Sequence, residues 1–178
     1  PTQLADALLT DSVRTTTLDY VATNGWTTGE LINGINSRRD EDLRGQYDLV
    51  SLLIGVNNQY RGLPLPNYQT EFEILLKTAI EFAGGDTSRV FVVSIPDYAF
   101  TPFGGGSQEI TDDLVRFNAA ANFIADDHGV PFYNITPISQ EGLTDPELVA
   151  TDNLHPSGKQ YGRWVEEVLN TPVLNQLR

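Results

Sequence analysis

The run YDLVSLLI, residues 47–54, decides the fold. It is almost wholly apolar, and the run VFVVSI, residues 90–95, has the same character. Apolar runs of this length are typical of strands buried on both faces, as in parallel sheets that are covered by helices. Residues 17–22 and 131–135 are weaker strand candidates.

Stretches with helical spacing lie between these runs. Apolar residues recur every three or four positions in residues 72–83, 110–124 and 161–169, and residues 1–9 begin in the same way. Gly84 and Gly85 predict the end of the helix over residues 72–83. The alternation of strands and helices predicts an α/β fold of right-handed strand–helix–strand units, arranged as a three-layer α/β/α sandwich.

Length and composition narrow the choice of function. The 178 residues fit one compact domain, and without a linker in the sequence we expect residues 1–178 to form a single domain. The absence of cysteine excludes disulfides, zinc–cysteine sites and cysteine nucleophiles. A formal net charge of -13, with only 11 Lys and Arg, argues against a nucleic-acid partner.

The sequence also bears on membranes and location. No apolar run approaches the roughly 20 residues that a membrane-spanning helix needs, so we expect no transmembrane segment. Cytoplasmic, secreted and periplasmic locations all stay open, and so does the oligomeric state.

Four loops follow the predicted strands and collect the glycines and polar side chains. They cover residues 23–28, 55–62, 96–107 and 136–155. In parallel α/β sheets, ligands bind beyond the carboxyl ends of the strands, so these loops are where chemistry is expected.

Only two histidines are available as a general base. His128 follows a helical stripe, and a histidine there interacts favourably with the helix C-terminus without any catalytic role. His155 lies in a loop, three residues after Asp152. In a tight turn, the Asp152 carboxylate can fix the tautomer of the imidazole and stabilise its protonated form. The plainer interpretation is that both residues shape the approach to the last helix, with Ser157 as its N-cap.

Two other loops hold candidate hydrogen-bond donors for an oxyanion. The sequence Asn24-Gly25-Trp26-Thr27-Thr28 places the Gly25 backbone N–H before a helix, and an asparagine amide in Gly55-Val56-Asn57-Asn58 can donate a second bond. Asn and Gly are also ordinary turn residues, so each loop alone is equally explained as a turn.

Taken in order, these segments resemble the SGNH hydrolases, also called the GDSL esterase and lipase family. The Gly25 segment is similar to the family's glycine block, Gly55-Val56-Asn57 to its Gly-x-Asn block, and Asp152-Asn153-Leu154-His155-Pro156 to its Asp-x-x-His block. The resemblance implies a flavodoxin-like parallel sheet and a catalytic triad that cleaves carboxylic esters through an acyl-enzyme.

The resemblance implies a functional role for each residue of this chain that matches a family motif. It implies His155 as general base, Asp152 as its orienting partner, and Gly25 and Asn57 as the oxyanion hole. Trp26, Asn58 and Tyr98 are candidate substrate contacts on the loops around the crevice. The family's third block usually ends in Asp where this chain has Asn58.

The family's Gly-Asp-Ser block does not occur in the sequence. Ser51 and Ser94 fall inside predicted strands, and neither Ser107 nor Ser139 follows a strand in the manner of an exposed nucleophile. In the family, the strand that carries the serine lies between those that match residues 17–22 and 47–54. We therefore expect the first strand and the nucleophile upstream of Pro1, within roughly 20 to 30 further residues.

Two rival functions stay open. A catalytically silent SGNH-like domain that binds an acylated glycan or another ligand would explain the missing serine. A flavodoxin-like module for a nucleotide or flavin would use residues 104–107 as a phosphate loop, although no lysine lies nearby. We expect no cofactor and no metal, since two separated histidines and no cysteine leave only carboxylates. Within an ester hydrolase, acetylated carbohydrate, lysophospholipid and simple short-chain esters are all open substrates.

Overall fold

The computed structural model describes residues 2–10, 17–38, 43 and 46–177. Eleven helices and strands follow one another in these residues: α1 (Thr2–Thr10), α2 (Thr28–Arg38), β1 (Val50–Leu52), α3 (Val56–Tyr60), α4 (Leu65–Phe82), β2 (Val90–Val93), α5 (Gln108–Asp127), β3 (Phe132–Tyr133), α6 (Thr136–Ser139), α7 (Gly158–Arg163) and α8 (Asn170–Gln176). A π-helical segment, Trp164–Leu169, joins α7 to α8, and short 3-10 turns cover Thr87–Arg89, Tyr98–Phe100 and Pro146–Leu148.

Internal contacts divide the chain into two compact units. The first unit combines Pro1–Leu18, Pro96–Leu114 and Tyr133–Arg178. The second unit combines Asp19–Ile95 and Val115–Phe132. Each unit is therefore built from segments that are distant in sequence.

The three strands form a parallel sheet in the order β1-β2-β3. Val50 pairs with Val90 and Leu52 with Val92 between β1 and β2. The Val92 N–H donates to the Pro131 carbonyl at 2.8 Å, next to β3. All four residues of β2 are buried, as its apolar run predicts. The predicted α/β fold with a parallel sheet is thus confirmed.

Strand β1 differs from its prediction. Only three residues of the apolar run 47–54 form a strand, and Ser51 in its middle is exposed. Leu53, on the same face by alternation, is 41 % exposed. The expectation that this run is buried on both faces is therefore wrong for the described residues, where β1 is the outer strand of the sheet.

The strand expected over residues 17–22 is also not formed. These residues are irregular, and Leu18 and Tyr20 are each 44 % exposed. A strand exists only where a neighbouring backbone supplies its hydrogen bonds, and none of the described strands pairs with this segment. Side chains hold it instead: the Tyr47 hydroxyl donates to Asp19 Oδ2 at 2.8 Å, and Arg38 Nη1 donates to the Tyr20 carbonyl.

Each predicted stripe is helical, although α4 begins at Leu65, before the start of its stripe. Helix α4 buries one apolar face, made of Tyr68, Phe72, Leu75, Leu76 and Ala79, and packs on β1 and α2. It ends before Gly84 and Gly85, whose φ values of 69° and 86° belong to the left-handed region. The stripes over residues 1–9 and 110–124 become α1 and α5. The stripe over residues 161–169 is helical, but six of its residues are π-helical.

Gly55 connects β1 to α3 in a conformation that requires glycine. Its φ is 126°, and a Cβ atom there would lie 2.6 Å from Tyr68 Cε2 and 2.9 Å from Ile95 Cδ1. Gly55→Ala should therefore lower the free energy of unfolding by about 2 to 5 kcal/mol, combining backbone strain and overpacking. Urea denaturation measures this loss.

Gly62→Ala is the matched control. Gly62 also has a positive φ, of 64°, but nothing lies within 4 Å of its added Cβ. Its replacement by alanine should lower the free energy of unfolding by only about 1 to 2 kcal/mol, because only backbone strain is added. Equal losses in the two variants would contradict the steric explanation for Gly55.

Candidate active site

Asp152 and His155 form one hydrogen-bonded turn in the first unit. Asp152 Oδ2 lies 2.7 Å from His155 Nδ1, and the two side chains are each 52 % exposed. The other carboxylate oxygen, Oδ1, accepts the backbone N–H groups of Leu154 and His155 at 3.0 and 2.9 Å. One carboxylate therefore fixes both the backbone of the turn and the orientation of the imidazole.

Backbone pairing holds this turn at its base. Val149 and Pro156 form an antiparallel bridge, and the Ala150 N–H donates to the His155 carbonyl at 2.8 Å. Asn153, at the tip, has a φ of 65°, a left-handed conformation that asparagine tolerates better than most residues. The Ser157 hydroxyl accepts the Gln160 N–H at 3.2 Å, so Ser157 caps α7 as predicted.

The hydrogen bonds lower the pKa of the Asp152 carboxyl from its ordinary 3.8 to about 2. The backbone N–H of His155 contributes most, followed by that of Leu154 and by the imidazole. Because the folded pKa lies below the unfolded one, the stabilisation of the turn is complete above about pH 4 and is lost as the pH falls through about 2.

This shift predicts a titration that NMR can measure. The amide proton shifts of Leu154 and His155 should change together with a midpoint near pH 2, since both amides donate to the ionised carboxylate. Circular dichroism over the same range separates local titration from unfolding, and Asp152→Asn should abolish the shared transition. A midpoint near pH 4 would show that these hydrogen bonds do not persist in solution.

The loop after β2 touches the tip of this turn. The Phe103 N–H donates to the Asn153 carbonyl at 3.0 Å, and the Phe103 side chain is 53 % exposed. Tyr98, predicted as a substrate contact, is only 9 % exposed, and its ring lies 6.4 Å from that of Phe103. Phe103 thus offers more surface to a ligand beside the turn than Tyr98 does.

The glycine loop belongs to the second unit. Gly25 has a φ of 85°, its carbonyl accepts Arg61 Nη2 at 2.5 Å, and none of the described residues accepts its N–H. Trp26 is half-buried against Gly34, where an added Cβ would lie 2.3 Å from the indole. The Gly25 N–H is therefore available as a donor, and the packing of Trp26 fixes the loop that carries it.

Asn57 and Asn58 differ sharply in their surroundings. Asn57 Nδ2 donates to the Trp26 carbonyl at 3.0 Å, which leaves one N–H of its amide for another acceptor. Asn58 is 1 % exposed, and its amide both accepts the Thr28 N–H at 3.0 Å and donates to the Thr28 hydroxyl at 2.6 Å. Asn58 is thus committed to internal bonding and offers almost no surface to a ligand.

The remaining polar candidates have other roles. His128 Nε2 lies 3.4 Å from Glu73 Oε1 at the end of α5, which gives this histidine a structural partner. Ser139 is 3 % exposed and its hydroxyl donates to the Thr136 carbonyl, while Ser107 stands before the first turn of α5. Ser94 is 1 % exposed.

The sequence model of the GDSL-like Lipase/Acylhydrolase family matches residues 1–163. The chain belongs to this GDSL-like family. No curated protein matches it in sequence. Family membership supports ester hydrolysis in general and a small-molecule substrate.

Solved structures of similar fold include several esterases. The psychrotrophic esterase EstA from Pseudoalteromonas sp. is 16 % identical, with a TM-score of 0.64 over 98 % of this chain and 82 % of its own. A lipase/acylhydrolase from Enterococcus faecalis is 17 % identical, with a TM-score of 0.67 over 99 % and 83 %. An acetylxylan esterase from Geobacillus stearothermophilus is 21 % identical, with a TM-score of 0.57 over 86 % and 68 %. At these identities the likeness establishes the GDSL-like fold alone.

The described residues contain neither a membrane-spanning helix nor a metal-binding cluster. Within the described ranges, every helix is too short or too polar to cross a bilayer. The same residues contain no group of three or more His, Asp or Glu side chains placed to hold a metal ion.

Proposed function

We propose that this chain hydrolyses carboxylic esters through a covalent serine acyl-enzyme, with Asp152 and His155 as its acid–base pair. The observation that carries the proposal is the 2.7 Å contact between Asp152 Oδ2 and His155 Nδ1 in a chain of the GDSL-like family. With Asp152 ionised, Nδ1 keeps its proton and its N–H donates a hydrogen bond to the carboxylate, so Nε2 is left as the acceptor. None of the described residues is bonded to Nε2.

The proposed reaction has two halves. Nε2 of His155 takes the proton of a serine hydroxyl as its oxygen bonds to the ester carbonyl carbon, and it then returns that proton to the departing alcohol. Water adds to the acyl-serine in the same way and releases the acid. In both halves the carbonyl oxygen becomes an oxyanion, for which we propose the Gly25 N–H and the Asn57 amide as donors.

The nucleophile is proposed to lie upstream of Pro1. Two of the candidate serines, Ser94 and Ser139, are buried. The hydroxyls of Ser107 and Ser139 are hydrogen-bonded to nearby backbone groups. These surroundings argue against each of the three as the attacking group. Strand β1 is the outer strand of the described sheet, which supports an additional pairing strand, and the exposure of Ser51 and Leu53 supports an additional element that covers this face. A catalytic mutant of the Geobacillus acetylxylan esterase has alanine in place of a serine, which is consistent with a serine nucleophile in this family.

The proposed substrate is a small ester that reaches the site from solvent. The exposure of His155 and Phe103 favours an open site over one covered by a lid. Trp26, which is half-buried, is a further proposed contact for the substrate. A series of nitrophenyl esters from acetate to laurate measures this preference, and kcat/KM should be highest for the shortest acyl chains.

The test uses the natural full-length protein. It should turn over nitrophenyl acetate, and a fluorophosphonate should label one serine, which peptide mass mapping would locate upstream of Pro1. The Pseudoalteromonas structure carries a phosphonate inhibitor, which supports this choice of probe. A full-length protein with neither turnover nor label would overturn the proposal in favour of a silent ligand-binding domain.

A further inference from the structure

Asp97 is a buried acidic residue in the first unit that the proposed chemistry does not use. It is 1 % exposed, and it is the only charged residue between Ser94 and Gln108. None of the described Lys or Arg side chains pairs with it. A carboxyl group in the interior is costly unless hydrogen bonds satisfy it, so its surroundings require an explanation.

Three donors from separate segments meet at the Asp97 carboxyl. Oδ1 accepts the Ala99 N–H at 3.0 Å, and Oδ2 accepts the Thr111 hydroxyl at 2.9 Å and Gln140 Nε2 at 3.1 Å. The Asp97 N–H donates to the Ser139 hydroxyl at 2.7 Å. This residue therefore ties the loop after β2 to α5 and to the end of α6.

Hydrogen bonds within the loop beyond Asp97 fold it back on itself. The Thr101 hydroxyl donates to the Tyr98 carbonyl at 2.8 Å and accepts the Gly104 N–H at 3.1 Å. A Cβ at Gly104 would lie 2.1 Å from the Tyr98 carbonyl oxygen, so the chain turns back tightly at this point. Phe103 lies between Thr101 and Gly104, which are both held by these contacts.

This loop contacts the Asp152–His155 turn through Phe103. The Phe103 N–H donates to the carbonyl of Asn153, which lies between Asp152 and His155 and has a positive φ. The contact is a direct hydrogen bond between the loop and the tip of the turn. Displacement of the loop would therefore be transmitted to the segment that orients the imidazole.

We propose that Asp97 is a positioning residue that holds the Asp152–His155 turn through the loop over residues 96–107. The proposal rests on the function proposed above, and it assigns Asp97 no contact with substrate. Loss of the anchor should lower the rate of the chemical step more than substrate binding, because small misplacements of a general base reduce kcat strongly.

The first experiment is Asp97→Ala in the full-length protein. We expect kcat per fluorophosphonate-titrated site to fall on the order of 10- to 100-fold, with KM changed by no more than about twofold. The downfield proton resonance of His155 Nδ1, assigned with His155→Ala, should broaden or vanish. Asp112→Ala is the matched control, since Asp112 Oδ1 accepts Gln108 Nε2 at 2.8 Å on the exposed face of α5.

A second pair of variants keeps the test valid if Asp97→Ala does not fold. In the unsubstituted chain, Gln140 Nε2 donates to Asp97 Oδ2 at 3.1 Å. Gln140→Glu replaces this donor with a second carboxylate, which repels that of Asp97. It should lower kcat and perturb the Nδ1 resonance. Adding Asp97→Asn should restore both, because the asparagine amide can then donate to the new carboxylate.

The outcomes separate this inference from the proposed function. If Asp97→Ala and Gln140→Glu change only the melting temperature, while kcat per site and the Nδ1 resonance stay the same, Asp97 has a purely structural role and the inference is wrong. If His155→Ala retains full turnover, the proposed function fails. A response of the Nδ1 resonance to Asp97→Ala would still support the physical coupling in that case.

Discussion

Replacement of His155 by alanine should lower kcat for nitrophenyl acetate by roughly 10⁴-fold or more. The proposed reaction has no other base for the serine proton, and losses of this size follow the removal of a triad member. The side chain is 52 % exposed, so its removal should change the melting temperature little. Steady-state kinetics and thermal unfolding of the full-length protein measure the two effects separately.

His128→Ala is the control, because His128 is the other histidine of the chain and pairs with Glu73. It should retain wild-type kcat. Comparable loss of activity in both variants would point to general damage by histidine replacement, and full activity in His155→Ala would remove the basis of the proposed mechanism.

Asn57→Ala should lower kcat by about 10²- to 10³-fold, the usual effect of losing one oxyanion donor. One N–H of the Asn57 amide donates to the Trp26 carbonyl, and the second is the proposed donor to the substrate oxygen. Because that oxygen carries its charge only in the transition state, the loss should appear in kcat with little change in KM. Kinetics with nitrophenyl acetate give both constants.

Asn67→Ala provides the control for this variant. Asn67 is an exposed asparagine in the first turn of α4, and its replacement should leave kcat and KM unchanged. Asn57→Asp extends the test, since a carboxylate keeps the size of the side chain but repels an oxyanion. If Asn57→Asp is as active as the wild type, Asn57 is not an oxyanion donor.

The parts of the fold that depend on local spacing were predictable. The apolar stripes that predicted α4 and α5 each extend over several helical turns. The apolar run over residues 90–95 is buried, as predicted. Residues 17–22 were predicted wrongly because a strand depends on a partner that its own sequence does not specify. The π-helical segment was missed because a shift of one residue in hydrogen bonding barely changes apolar spacing over two turns.

In the candidate site, too, contacts between residues close in sequence were predictable and contacts between distant residues were not. The bond between Asp152 and His155 spans three residues and could be predicted from the tetrapeptide. The position of Asn58 could not, because its amide bonds to Thr28, 30 residues away. Asp97 was also missed, since two of its partners lie 42 and 43 residues further along the chain. Its one visible signal was a lone charge in an otherwise uncharged loop.

The closed turn that contains Asp152 and His155 has an implication for how such a protein changes over time. Four consecutive residues contain both the carboxylate and the imidazole, so the geometry between them depends on one short segment. Insertions or substitutions in other loops can reshape what enters the proposed site without moving Asp152 away from His155. Under the proposed mechanism, a chain built in this way can change its ester substrate during divergence and still keep its two proton-transfer groups in place.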